Sequence, residues 1–376
     1  MNKSGIYLHI PFCKTKCIYC DFYSVTKRDD SIDKFVNCMV KEIKLNKNRL
    51  ESTIFDTIFF GGGTPSVLTE NQLENILNTL YENFSIDKKV EITLECNPGE
   101  ITFEKLAHFR KIGINRLSIG FQSFSEKNLK FLGRLHSSKQ SISTFNHARK
   151  AGFDNINIDL IYDIPKQKIK DWKDDLFLGT SLEPEHISAY SLTVEKNTVL
   201  HSMVKNKTAI MPSEEIDKKM FLSTISYLEQ KNYIHYEISN FSKKNKECAH
   251  NLHYWKLEPY LAFGPGAHGF DGKKRWWNKK SIDFYINQID QNILPIEFEE
   301  TLSKKDSFNE TIMNGLRLIE GAEIQKLDSL INQNIENYID SFTEKWPYIN
   351  NNGKNLSLNK KGLLFADEII ADLFLI

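Results

Sequence analysis

With 376 residues, 40% of them hydrophobic, the chain has enough apolar side chain for one large domain plus a small one, or for two of medium size. Its 49 Lys and Arg balance 49 Asp and Glu, so no field of one sign points to nucleic acid or to an acidic membrane surface. No apolar run is long enough to cross a bilayer, and the first residues lack the apolar stretch of a secretory leader. A cytosolic protein with reduced thiols is the expectation.

In chain order, β-rich runs are predicted at 6–10, 56–60, 90–95, 116–120, 155–160 and 186–192. Helices are predicted between them at 33–50, 69–84, 103–111 and 137–150. The first helix has Phe35, Val36, Met39, Val40 and Ile43 at helical spacing. Thr69 and Gln72 fit a capping box, and Gly113 and Gly152 stand at natural stops. Such βα alternation implies a parallel sheet. Six units are too few to close an eight-fold barrel, so an open, partial (β/α)6 barrel is expected over residues 1–232.

Residues 233–302, rich in aromatics and glycine, show little periodicity and are expected to pack across the barrel mouth. From 303 to 376 the pattern reads three helices, a hairpin and a final helix. One apolar stripe holds Leu327, Leu330 and Ile331, another Ile335, Tyr338, Ile339 and Phe342, and Asn351-Asn352-Gly353 marks the turn. This predicts a small winged-helix-like domain. No strongly basic recognition helix stands out in it, so the shape carries no nucleic-acid function by itself.

Chemistry concentrates in the loop after the first strand, at Cys13-x-x-x-Cys17-x-x-Cys20. Three thiolates on a 4Fe–4S cube leave one iron free for an exchangeable ligand, whereas an electron-transfer cluster takes four cysteines. The alternative is zinc, with His9 or a distant residue as fourth ligand, although no second cysteine pair or histidine pair follows at zinc-site spacing. A disulfide framework is disfavoured because Cys38, Cys96 and Cys248 are scattered singly. In parallel barrels, reactive groups gather at the C-terminal ends of strands. There the chain places Gly61-Gly62-Gly63-Thr64-Pro65, whose bare backbone suits a ligand or a tight turn. Glu95 ends the third strand, Gln122 follows the fourth, and Asp159 stands within the fifth between Ile158 and Leu160, where a carboxylate needs a partner.

Taken together, the cysteine triplet, the GGGTP loop and the strand-end polar residues resemble the radical S-adenosylmethionine (SAM) superfamily. Tyr7-Leu8-His9-Ile10-Pro11-Phe12-Cys13, Arg116 to Ser123 (RLSIGFQS), Leu132-Gly133-Arg134 and Asn157-Ile158-Asp159-Leu160-Ile161 narrow the likeness to the oxygen-independent coproporphyrinogen III oxidase-like family. The resemblance implies a 4Fe–4S cluster on Cys13, Cys17 and Cys20, with SAM as its exchangeable ligand. It also implies SAM contacts from Tyr7, Tyr19, Gly62, Gly63, Thr64, Glu95, Gln122, Arg134 and Asp159, the later ones matching a second SAM position.

The family divides into oxidases and a branch described as heme chaperones. The oxidases carry a further cysteine two residues past the triplet and a long arm ahead of it. Here Phe22 holds that position, and twelve residues precede Cys13. His250-Asn251-Leu252-His253-Tyr254-Trp255 resembles the HNxxYW signature of the chaperone branch. An imidazole with aromatic neighbours suits heme, so His250 is the candidate heme contact, with His253, Cys248 and His268 as competitors and a purely structural role as the plain alternative. The resemblance thus implies heme binding and transfer to an acceptor hemoprotein, with a respiratory one reached through transient contact with a membrane protein as the first candidate. The alternative is a coproporphyrinogen III dehydrogenase acting by radical oxidative decarboxylation. Asp163 and Lys166 stand where relatives commonly have glycine, and Pro265 interrupts a loop usually built of small residues.

Overall fold

The structure, a computed structural model, describes residues 3–51 and 53–376. Its centre is six parallel strands in sequence order: β1 (Lys3–Ile10), β2 (Ile54–Gly62), β3 (Ile86–Cys96), β4 (Arg116–Gln122), β5 (Ile156–Tyr162) and β6 (His186–Ser191). They are joined through α1 (Ile32–Leu45), α2 (Glu70–Asn83), α3 (Phe103–Lys111), α4 (Glu126–Leu132), α5 (Ser138–Lys150) and α6 (Ile169–Ser181). Then come α7 (Val199–Lys205) and α8 (Glu214–Gln230). This is the open α/β architecture expected. The predicted capping box of α2 forms, with Thr69 and Gln72 each bonding the other's backbone N–H. Helix α1 stops short of the predicted 50 because the Asn46 amide turns back onto the Glu42 carbonyl at 2.9 Å, competing with the next helical turn.

Alternation along these strands separates two environments. Ile58, Phe60, Ile92, Leu94, Leu117, Ile119, Ile158 and Leu160 are buried against the helices in the hydrophobic core. The intervening positions, among them Glu95, Arg116, Ser118, Asn157, Asp159, His186 and Ser188, face cavities on the opposite, concave side. The sheet therefore has an apolar back and a polar lumen.

Residues 233–302 correct the expectation of an irregular cover. They form β7 (Ile234–Glu237), β8 (Asn240–Ser242), α9 (Ala249–Trp255), β9 (Tyr260–Phe263), β10 (His268–Phe270), β11 (Lys274–Asn278), α10 (Ile282–Asp290) and β12 (Ile296–Thr301). Strand β8 pairs antiparallel with β6 at one edge, while β9 runs parallel to β1 at the other. The result is a twelve-stranded sheet ordered β12-β11-β10-β9-β1-β2-β3-β4-β5-β6-β8-β7. Between the two edges, α9 lies against the N-terminal halves of β1 and β2, where a Cβ on Gly5 would meet His250 at 2.9 Å. Glu91 of β3 accepts the His250 and Ala249 backbone N–H at the start of α9, at 3.3 and 3.4 Å. The segment thus plugs the end of the lumen opposite the mouth.

The remainder follows the predicted order: α11 (Lys304–Gly315), a short β13 (Ala322–Glu323), α12 (Ile324–Leu330), α13 (Ile335–Thr343), the hairpin β14 (Ile349–Asn351) and β15 (Asn355–Leu358), and α14 (Ala366–Asp372). Leu327, Ile335 and Ile339 are buried, with Leu330, Ile331, Tyr338 and Phe342 packed around them. Among the described residues, no helix is long and apolar enough to cross a membrane.

Candidate cluster and cofactor site

The Cys13–Val25 loop leaves the C-terminal end of β1 and returns to its own base. Val25 N–H donates to the Pro11 carbonyl at 2.7 Å and Cys13 N–H to the Val25 carbonyl at 2.9 Å, cinching the neck. Cys20 N–H closes a turn onto the Cys17 carbonyl at 3.2 Å. All three thiols border one cavity of about 460 Å³. The same cavity is lined by Tyr19, Gly62, Gly63, Thr64, Glu95, Gln122, Arg134 and Asp159. Eleven of the thirteen residues singled out in the sequence therefore converge on one space, although they come from four strands and three loops. Tyr7 borders two adjoining spaces. His250 borders none of the cavities described here.

The thiols have donors aimed at them. Thr64 Oγ1–H donates to Cys13 Sγ at 3.6 Å, and Arg134 Nη1 to Cys17 Sγ at 3.4 Å. Burial raises the thiols of Cys13 and Cys20, the latter to about 11. Deprotonation here consequently belongs with binding of a positively charged group, as in metal sites generally. Among the described residues, no three His, Cys, Asp or Glu side chains converge as the ligands of a single ion. A 4Fe–4S cube accepts each thiolate at a different iron, so the donor set fits a cluster better than zinc. His9, the candidate fourth zinc ligand, is already committed: Nδ1 is 3.1 Å from the Tyr7 hydroxyl and Nε2 2.8 Å from the Tyr23 carbonyl.

The wall opposite the cysteines is built for a polar, partly cationic ligand. Gly62 lies at φ +109°, and a Cβ there would sit 2.6 Å from the His9 ring, so only glycine allows the strand to turn so tightly. Its N–H donates to Glu95 Oε2 at 3.1 Å. Burial, then the charge of Asp159, pushes the Glu95 carboxyl up to about 8. Burial also raises Asp159, against bonds from Asn157, Ser188 and Ser118. Arg134 Nη2 holds Asn97 Oδ1 at 2.5 Å and the Gly120 carbonyl at 3.0 Å, while Asn97 Nδ2 donates to Thr64 Oγ1 at 3.0 Å. Gln122, at the end of β4, adopts φ +66°, a costly backbone for a residue with a side chain. Sequence reading missed Asn97, Ser118 and Tyr190 on this wall, although strict alternation in Arg116–Gln122 already marks Ser118 as facing the lumen.

A family model of the Radical SAM superfamily matches residues 7–178. The chain is 32% identical to the heme chaperone HemW of Bacillus subtilis (strain 168), over 96% of this chain and 97% of that protein. It is 35% identical to the heme chaperone HemW of Buchnera aphidicola subsp. Acyrthosiphon pisum, over 91% and 88%. The chain belongs to the HemW heme chaperone family of the radical SAM superfamily. Coproporphyrinogen III oxidase (HemN) from Escherichia coli shares the fold, with a TM-score of 0.85 at 22% identity, over 99% of this chain and 90% of that one.

Membership in that superfamily brings a 4Fe–4S cluster and SAM as cofactors, which the cavity accommodates. The HNxxYW stretch lies apart from the cluster cavity, and His250 does not border it. His250 is buried, with Nδ1 2.8 Å from Thr57 Oγ1 and Nε2 2.7 Å from the Tyr254 hydroxyl, so neither ring nitrogen is free for iron. Cys248 is likewise buried beside Glu91, and His253 has both nitrogens on carboxylates. In the loop after β5, Asp163 and Lys166 take φ +61° and +68°, a backbone that glycine adopts without strain.

Proposed function

We propose that this chain is a heme chaperone that binds heme and passes it to an acceptor hemoprotein. Full-length likeness to the HemW chaperones carries this reading. Cys13, Cys17 and Cys20 would hold the 4Fe–4S cluster, and SAM would be its exchangeable ligand, with Tyr19, Gly62, Gly63, Thr64, Glu95, Gln122, Arg134 and Asp159 as its contacts in the same cavity and Tyr7 in the adjoining spaces. When bound, the cluster supplies a redox-active iron with an open position. The protein's own part is to keep the thiols shielded, to hold Arg134 charged beside Cys17, and to present a lumen wall of fixed polar groups. Phe22, where the oxidases resembled here carry a further cysteine, leaves the loop tip apolar and 66% exposed.

The test is anaerobic reconstitution with iron and sulfide, heme titration, then transfer to an apo-hemoprotein. A coproporphyrinogen turnover assay with SAM and reductant runs in parallel. Stoichiometric heme binding and delivery without decarboxylated product supports the chaperone reading. Repeated turnover of coproporphyrinogen overturns it in favour of a dehydrogenase.

A further inference from the structure

Beside the cluster cavity lies a second cleft, of about 330 Å³, on the flank where β9 and β10 extend the sheet. We propose that this cleft is the heme-binding site and that the His268 imidazole is its iron ligand, an assignment that rests on the chaperone reading above.

The chain has ten histidines. A ligand must offer a free ring nitrogen to a space large enough for a flat macrocycle. His9, His186 and His136 border cavities, but His9 and His186 have both nitrogens bonded, and His136, with Nε2 on the Phe121 carbonyl at 3.1 Å, borders a space of only about 20 Å³, too small for a macrocycle. His250 and His253 are buried and doubly bonded. Among the described residues, His268 alone borders a cavity with no hydrogen bond to its ring. Its plane is fixed from behind by Trp277, stacked at 5.6 Å and 24°, which in turn stacks on Phe298 at 4.7 Å. A ligand held this way loses little freedom on coordination.

The rest of the cleft has matching chemistry. Tyr7, Phe22, Tyr23, Tyr254 and Tyr260 supply aromatic wall for a macrocycle face. Lys280 stands near enough to His268 to depress its basicity, after burial, so the imidazole stays neutral and able to donate its lone pair. No carboxylate pairs with Lys280 among the described residues, which leaves its ammonium for a propionate. Coordination here is one dative bond from imidazole nitrogen to iron, with displaced water as the only leaving group. A cleft of this size covers part of the macrocycle and leaves the remainder open, which suits cargo that has to leave.

Position links the cleft to the cluster. Phe22, at the tip of the cysteine loop, borders both spaces. A change at the cluster that moves this loop would move the Phe22 ring across the heme face.

The experiment is a ferric heme titration of the reconstituted full-length protein, followed by optical and EPR spectroscopy, for wild type, His268→Ala and Lys280→Glu. His268→Ala should lose the imidazole-ligated signature and weaken heme binding about tenfold or more, while keeping its iron and sulfide content. Added free imidazole should restore the signature. Lys280→Glu, at the exposed rim, should weaken binding with the signature intact. If wild type binds heme and His268→Ala binds it equally with an unchanged spectrum, the assignment falls and the chaperone reading stands. If wild type binds no heme, both fall.

Discussion

Protonation of His253 clamps the plug to the lower end of the sheet, and its removal should be read directly in stability against pH. His253 of α9 sits with Nε2 2.8 Å from Asp56 Oδ1 of β2 and with Nδ1 on Glu258 Oε2. Burial opposes a charge on the ring, but the two carboxylates outweigh it and lift the imidazole from 6.5 to about 9. Asp56, despite its own burial, is held below the usual carboxylate range by His253 and Lys3. At ~1.4 kcal/mol per pH unit, that gap corresponds to about 3 kcal/mol of folding free energy. Glu258 is 42% exposed, so solvent screens its share and about 2 kcal/mol is the working figure. Because the folded pKa is the higher one, the contribution is complete below about pH 6.5 and is lost as pH rises through about 9. Denaturant unfolding of wild type and His253→Gln at about pH 6 and about pH 10 checks this. Wild type should lose about 2 kcal/mol more than the variant across that interval. Buried carboxyls such as Glu42 and Glu237, both pushed up to about 7, also weaken the fold as they ionise, but they do so equally in both proteins and cancel. Equal pH slopes in the two proteins would refute the clamp.

Glu42→Ala should cost about 3–5 kcal/mol in the same unfolding assay, since it strands three buried donors: the Tyr285 hydroxyl at 2.7 Å, Gly264 N–H at 2.8 Å and Asn278 Nδ2 at 2.8 Å. Arg134→Lys should lower the iron retained per chain after desalting, because a single ammonium cannot reach Cys17 Sγ, Asn97 and the Gly120 carbonyl together. Lys166→Gly, at an exposed residue with φ +68°, should raise stability by about 0.5–1 kcal/mol. Gly321→Ala should loosen the C-terminal sheet, since φ is +90° and a Cβ would meet the Leu356 carbonyl oxygen at 2.2 Å; faster proteolysis after about residue 303, with cluster content unchanged, is the expected outcome.

Local rules made the central strands, the caps and the C-terminal helices legible in the sequence, because each element is decided within a few residues. Glu95 and Asp159 were legible for the same reason: a carboxylate at an inward strand position advertises itself against apolar neighbours. Arg134 was legible only through the family resemblance that Leu132-Gly133-Arg134 carries, not from a local pattern. Its three partners lie on the cysteine loop, after β3 and within β4, and periodicity in α4 says nothing about them. The edge strands β7 to β12 have between three and six residues each, too short for an alternation signal, and the two groups they form join the central sheet through pairings distant in the chain, β8 with β6 and β9 with β1. The address of the HNxxYW stretch was hidden for a related reason. The His250 bond to Thr57 spans 193 residues, and no local pattern reports which end of a sheet a seven-residue helix will cover.

That address changes how substitutions in the stretch are to be interpreted. Replacing His250 by Ala would orphan Thr57 Oγ1 and the Tyr254 hydroxyl, both now bonded to the ring, and would open a void beside Phe59, stacked on it at 5.1 Å. Tyr254 borders the cleft that contains His268, and Asn251 with Tyr254 borders the inner lumen next to Arg116 and Asp159. A His250 variant that loses heme would therefore be reporting a displaced wall as readily as a missing ligand. The two causes separate by rescue. Free imidazole in solution can replace an absent axial ligand at an open cleft, but it cannot rebuild a hydrogen-bonded triad inside the plug. Rescue of His268→Ala by imidazole, with none for His250→Ala, is the pattern that assigns the iron to the cleft and the HNxxYW stretch to the architecture beneath it.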